Sequence, residues 1–507
     1  MPLSQLVPGF VARFAQPFHL LASTDASPHA STTGTPPSET ILPITPGRIT
    51  LFTAISILLL VPCFWQQRIQ SADLSSHIYN VWLAQLVRDG NAPGLWLAPQ
   101  TNNFLFDLLL DSLSRHFGFG LAQRIAASLI VLLLAWGSVF FIFRLTHRAP
   151  LFLLPCFAIL VYGVLYHAGF FNFYLSLGVC FWYLGFFWNA SWHTRLLLTA
   201  LLIPAWLAHP FPVLWAAGCA LYVAVMQAIP SRFRLTLLLL AIAFLLAIPA
   251  FLPYRFEWHP SQIFLITGAN IAIVYGAKYV WVMAALLLLW ISRLVRIAGA
   301  HSWSSALSTP QGHLWILTAA AVFVLPNAIL FPQYAVPFQF IAVRLSFCSA
   351  ILLLSLIVFP PANRLDKALL AFTAVLFFSL LYFDEAKLNR RETQVADAVQ
   401  TLPKDQRVIS SLPRVFHSND HILDRACLGH CFSYANYEPS SLQFRVRARP
   451  GNPIVLDSAI DVGAATRGTY VVQPRDLPLY NLVFCDSSQK RICVRATRPG
   501  DMVGPPR

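Results

Sequence analysis

The sequence predicts an α-helical polytopic membrane protein with about eleven transmembrane helices and a small C-terminal α/β or α+β domain outside the membrane. Three observations predict it. Of 507 residues, 57% are hydrophobic and 11% charged, and the mean hydropathy is +0.62; soluble domains carry about 25% charged residues. Apolar runs near the ~20 residues needed to cross a bilayer recur from Leu51 to Phe383. Short basic clusters punctuate those runs, in the alternation expected of cytoplasmic loops.

Taken in order, residues 1–47 lack the charged start, apolar centre and cleavage site of a secretory signal. Their Ser/Thr/Pro-rich part, 22–47, is expected to be a disordered cytoplasmic tail. The transmembrane part is placed at 48–383. Spans fall near 49–65, 121–143, 151–167, 171–190, 196–209, 212–229, 235–252, 271–291, 313–331, 339–360 and 368–383. With the amino terminus inside, "RLTHR" (144–148), "HTR" (193–195), "SRFR" (231–234), "SRLVR" (292–296) and "NRLDK" (363–367) all become cytoplasmic. The net charge of +14 is thereby explained by topology, and nucleic-acid binding is not expected. The span at 196–209 is short and ends in "AHPFP", the signature of a broken helix beside a cavity.

Residues 66–120, 253–270 and 384–507 then face outward. The last of these is expected to be a soluble domain, with β-rich runs "RVIS", "TYVVQ", "LVFC" and "ICVRA". It holds four of the nine cysteines. An oxidising compartment permits disulfides there: Cys485 with Cys493 as a hairpin-closing pair, and Cys427 with Cys431. Zinc on Cys427, His430 and Cys431 is the rival reading, although the spacing is not a standard finger. The other five cysteines sit in apolar runs as small core residues.

The outer stretch "DLSSHIYNVWLAQLVRDG", from Asp73, places Leu74, Ile78, Trp82 and Leu86 on one stripe, so this helix is expected to lie in the membrane interface. A second amphipathic pattern follows in "NNFLFDLLLDSLSRHFG", where Asp107, Asp111 and Arg115 form a ridge. Two roles are open for Asp73: helix N-cap, or a general base at the membrane surface. His77, one turn on, is placed to tune that acid or to bind substrate.

An inside amino terminus, an acid directly after the first span, an outer loop of two amphipathic helices and an outer soluble tail together resemble the GT-C superfamily. The stretch "DLSSHIYNVWLAQLVRDGNAPGLW" resembles the opening of its bacterial members. These are integral-membrane glycosyltransferases that use polyprenyl-phosphate sugars, such as protein O-mannosyltransferases and aminoarabinose transferases. The resemblance implies that Asp73 activates the acceptor and that Arg344, in "QFIAVRLSF", holds the lipid phosphate. Lys278 and Arg255 are further phosphate candidates, with interfacial snorkelling as their alternative. Many members carry a second acid in the next outer loop; here "LYHAGFFNFYLS" offers His167 and Asn172 instead. Both are candidates for binding substrate or for interhelical hydrogen bonding, as are His209, Glu257 and His259. Hard divalent cations want several oxygen ligands, so no cofactor is expected and a divalent metal is disfavoured.

The function expected is inverting sugar transfer from a polyprenyl-phosphate donor to a lipid, glycan or protein acceptor, on the outer face of a bacterial plasma membrane. A transporter or flippase of a lipid-linked substrate is the alternative, disfavoured by the absence of internal repeats and by the scarcity of acids within the spans. A non-catalytic GT-C-like protein is the third reading.

Overall fold

The computed structural model describes residues 46–300, 308–332, 334–359, 361–413 and 421–505. The tail expected at 1–47 lies, up to residue 45, outside the described residues. The described chain begins with α1 (Pro46–Leu60), α2 (Ala72–Arg88) and the short β1 (Leu95–Leu97). α3 (Leu105–Thr146) is broken at Gly118, whose φ of 69° and ψ of 162° are non-helical. That break divides the shorter helix containing Asp107 from the long apolar helix that follows it. Next come α4 (Leu154–Val161), α5 (Val164–Ala168) and α6 (Phe171–Phe187). The stretch expected to be a broken helix is α7 (Trp192–Leu198), a 3-10 turn at Thr199–Leu201, and α8 (Leu202–Ala208). His209 then turns the chain in extended conformation into α9 (Pro210–Ala228). α10 (Arg234–Phe251), β2 (Arg255–Glu257), α11 (Val280–Ala300), α12 (Pro310–Val324), β3 (Ala328–Leu330) and α13 (Ile341–Ile357) lead to the long α14 (Arg364–Gln400).

Among the described residues, six helices are long and apolar enough to cross a membrane, and four shorter apolar helices accompany them. The described residues are 65% helical. α10 makes the membrane argument most directly. Leu235, Leu239, Leu240, Phe244 and Phe251 on it are all more than half exposed, and a helix apolar all round without protein cover is stable in lipid. Where helices do pack, small residues permit close approach. A Cβ on Gly137 of α3 would meet the Trp182 ring at 2.9 Å and the Gly178 carbonyl of α6 at 3.0 Å.

The predicted basic clusters gather at one end of this bundle. Arg148 donates to the Phe359 carbonyl at 2.7 Å and Arg144 to that of Gly185 at 3.2 Å. Arg195 reaches Gln227. Arg293 and Arg296 both pair with the buried Asp366, which caps α14 together with Asn363. Asp73, Asp107, His209 and Arg344 lie at the opposite helix ends.

The C-terminal segment contains β4 (Arg407–Ser410), α15 (Ile422–Ala426), β5 (Phe432–Ser433), α16 (Tyr437–Ser441), β6 (Val446–Ala448), α17 (Ala459–Thr466), β7 (Tyr470–Val471), β8 (Leu479–Phe484), β9 (Ile492–Ala496) and β10 (Met502–Val503). A mixed sheet runs β5-β4-β8-β9, with β4 parallel to both neighbours and β8 antiparallel to β9. β1 pairs antiparallel with β6, joining the loop after α2 to this segment.

Residue 384, the expected start of the C-terminal segment, lies within α14, which continues to Gln400 because "DEAKLNRRETQVADAVQ" changes polarity without containing a helix breaker. One expectation is corrected here: α2 does not rest on the lipid surface. Leu74, Ile78 and Val81 enter the main apolar core, whereas Tyr79, Leu83 and Ala84 join a second core with Val395, Val408 and Leu482. Its polar side is covered as well: Ser76 donates to Glu438, and Asn436 donates to Asn80. A polar face that reads as solvated is here a protein interface.

Candidate functional site

Asp73 stands in the first turn of α2, not at its cap. The cap position is Ser71, whose hydroxyl donates to the Tyr166 carbonyl and makes no cap hydrogen bond. This removes the N-cap role and leaves Asp73 as an acid near the positive end of the helix dipole. Gly169, with φ of 90°, fixes its backbone from behind: a Cβ there would lie 2.5 Å from the Asp73 nitrogen.

The C-terminal segment closes over this acid. His421 Nε2 lies 3.7 Å from an Asp73 oxygen, and His421 Nδ1 lies 2.8 Å from the buried Asp424. His77 Nδ1 sits 2.7 Å from Asp107, with the ring edge-on to Phe106. Burial opposes a charge on His77, but Asp107, with Glu438 and Asp73 behind it, holds the imidazole up at about 9. Burial pushes the Glu438 carboxyl up to about 7, against the pull of His77. Burial also raises the Tyr437 phenol, and Asp73, Glu438, Asp424 and Asp107 add to the effect. Tyr437 packs against the His421 ring at 5.5 Å. Around Asp73 there are thus three further acids, two imidazoles and an aromatic face. The sequence reading missed His421, Asp424, Tyr437 and Glu438. They stand hundreds of residues from Asp73, and no local spacing marks them. Among the described residues no group of three or more His, Cys, Asp or Glu side chains is arranged to hold a metal ion.

On the other side of Asp73 lies Arg344, buried near the start of α13. Its guanidinium stacks over Phe170 at 4.3 Å, Phe338 at 5.0 Å and Phe173 at 5.7 Å. Nε and Nη1 are buried with no hydrogen-bond partner among the described residues. Asp73 is within Coulombic reach of this charge. His209 is also within Coulombic reach of Arg344 and packs against Phe173 and Phe338. Phe170 directly follows Gly169, so one turn of chain touches both the acid and the cation. Asn172 accepts from the Phe106 amide at 2.9 Å and closes the start of α3, while its Nδ2 has no partner among the described residues.

The other candidates are engaged elsewhere. His167 is buried against Glu385 at 3.0 Å and the Gly163 carbonyl, a structural pair. Lys278 forms an ion pair with Asp384. Arg255 and Glu257 are exposed on β2, which pairs with β3, and His259 caps the 3-10 turn that follows. None of these five touches Asp73 or Arg344 among the described contacts.

Cys427 is bonded to Cys431, and Cys485 to Cys493 across the β8–β9 turn. The first bond consumes both sulfurs of the zinc alternative, and His430 turns to the Leu402 carbonyl at 2.9 Å. The remaining five cysteines are buried. No family model, curated protein or solved structure matches the chain.

Proposed function

We propose that this chain is a GT-C-type membrane glycosyltransferase that moves a sugar from a polyprenyl-phosphate donor to an acceptor at the outer face of a bacterial plasma membrane. In this reading about eleven spans carry the site, the basic end faces the cytoplasm, and the C-terminal segment is a domain outside. The observation that carries the proposal is the buried Arg344, set next to Asp73 by one stretch of chain: Gly169 packs on the acid and Phe170 on the guanidinium. A buried guanidinium with two unpartnered nitrogens in an apolar bundle is costly unless it receives an anion. The donor's phosphate supplies that anion. Asp73 takes the acceptor's proton as its oxygen attacks the anomeric carbon, the bond to the phosphate oxygen breaks, and Arg344 holds the departing phosphate. Direct displacement inverts the anomeric carbon.

The test is transfer from a radiolabelled polyprenyl-phosphate sugar by the purified full-length protein. Asp73→Asn is expected to lose at least about a hundredfold in kcat, and Arg344→Gln to lose donor affinity. Equal turnover by a folded Asp73→Asn protein removes the base from this reading. Transbilayer movement of the intact donor without sugar transfer replaces the whole reading with a flippase.

A further inference from the structure

A second polar cleft, away from Asp73, opens where the first span leaves the apolar bundle. It has a volume of about 520 Å³ and is lined by Arg68, Arg124, Arg425, Glu392, Gln67 and Gln400 among others. Three guanidinium groups face one carboxylate, so the cleft is net positive. Glu392 is spent on Arg425, with Arg68 at 3.7 Å. Arg124 donates Nη2 to the carbonyls of Gln66 and Gln67 at 3.0 and 2.9 Å, and its Nε is buried without a partner among the described residues. Arg68 uses Nη1 on Thr393 at 3.0 Å.

The depth of this cleft is set by its neighbours. Trp65, two residues before Gln67 of its lining, packs on Tyr382 with ring centroids 5.5 Å apart; aromatic residues of this kind are enriched at the boundary between hydrocarbon and headgroups. Phe64, Phe117 and Leu121 around its rim are about half exposed, at 47%, 53% and 44%. Arg124 lies over the Phe64 ring at 5.8 Å. Below the rim, Leu129 continues the exposed side of α3 two turns from Leu121, also half exposed. An exposed apolar track on α3 therefore leads into a cationic cleft.

We propose that this cleft binds the phosphate headgroup of an anionic membrane lipid, with one acyl chain along the Leu121–Leu129 face of α3. Arg68 and Arg124 clasp the phosphate, and Gln67 and Gln400 stand by as neutral hydrogen-bonding partners. The site is separate from Asp73 and Arg344 and does not depend on the sugar-transfer reading.

The test uses the full-length protein in nanodiscs or mixed micelles, titrated with phosphatidylglycerol, with phosphatidylcholine and with free glycerol phosphate. Binding is read by native mass spectrometry and by the shift in thermal midpoint. Phosphatidylglycerol is expected to bind about tenfold or more tighter than phosphatidylcholine, and free glycerol phosphate not to compete. Each arginine near a charged lipid surface is worth about fivefold in affinity, so R68Q/R124Q is expected to lose roughly thirtyfold. Gln400→Glu, at an exposed position whose side chain makes no hydrogen bond among the described residues, brings a negative charge to the cleft and is expected to lose the preference with the fold intact. Equal binding of both lipids, or unchanged preference in Gln400→Glu and in folded R68Q/R124Q, overturns the proposal. Competition by free glycerol phosphate at the same strength makes it a soluble-anion site and overturns the lipid assignment.

Discussion

Asp73 and His421 face each other at 3.7 Å, and Asp424 holds the far nitrogen of the same imidazole at 2.8 Å. A carboxylate behind a histidine fixes its tautomer and stabilises its protonated form. In the proposed transfer, the imidazole stands next to the acid that would take the acceptor's proton, at 3.7 Å in this structure. In that reading His421 would act through Asp73, as a positioning residue. His421→Gln is expected to lower kcat about ten- to a hundredfold with little change in donor KM. Asp424→Asn is expected to fall by a similar factor, and the double variant by no more than the larger single loss, because the pair works as a unit. Steady-state kinetics across pH checks this. Additive losses, or a pH profile identical to wild type in a slowed His421→Gln, would show a purely structural role.

His77 makes a separate prediction about pH. Burial alone would lower its pKa, yet Asp107 at 2.7 Å holds it near 9, above the ordinary 6.5. A folded-state pKa raised above the unfolded one means stability that is fully present below about pH 6.5 and lost as the pH climbs to about 9. The shift corresponds to roughly 3 kcal/mol. Glu438, held at about 7, shifts in the same sense but completes its change by neutral pH. Thermal midpoints in detergent at pH 7.5 and 9.5 isolate His77: wild type is expected to fall across that interval, and His77→Gln to stay nearly flat.

Arg425 locks the C-terminal segment to the loop before α2 and to α14. Its guanidinium bridges both Glu392 oxygens, the Ile69 carbonyl and the Gln123 amide oxygen, all in buried surroundings. Removing one partner of a buried pair strands the other charge, at a cost of about 3–5 kcal/mol. Arg425→Gln is expected to lower the thermal midpoint and to speed hydrogen exchange selectively in residues 421–441. Uniform exchange across the chain would argue against this lock.

Much of the bundle is legible in the sequence because a bilayer imposes a local rule: apolar runs must be helical, and basic residues collect at one end. Arg148 with Phe359, and Arg293 with Asp366, carry that rule into contacts. Strands β4, β8 and β9 are legible for the same kind of reason, since β-branched and aromatic runs bear their own signal. The surroundings of Asp73 are different. Ser76 and Asn80 look alike whether they meet water or Glu438 and Asn436, so α2 reads as a surface helix when it is an interior one. His421 and Glu438 reach the site by long-range packing, which leaves no periodicity to read. Likewise α14 hides its exit from the bundle, because helix propensity does not change where polarity does.

Gly169 is where backbone geometry bears most directly on the proposed chemistry. Its φ of 90° is open to glycine and strained for any other residue, and a Cβ there would lie 2.5 Å from the nitrogen and 2.7 Å from the Cβ of Asp73. These are atoms at the start of a helix packed on both sides, so Asp73 itself would have to move. Phe170, the next residue, floors the Arg344 guanidinium at 4.3 Å, so the same displacement would reach the cation. Gly90 supplies the control: its φ is 75°, and a Cβ added there would meet nothing within 4 Å. Gly90→Ala is expected to cost about 1 kcal/mol of backbone strain and leave sugar transfer unchanged. Gly169→Ala carries that strain together with the crowding. A shift of about 1 Å in a reacting group costs on the order of a hundredfold in rate, and kcat for Gly169→Ala is expected to fall by about that factor. Thermal unfolding and transfer kinetics on the two variants check this. If Gly169→Ala loses only as much stability as Gly90→Ala and keeps wild-type kcat, the 169 turn does not set the position of Asp73.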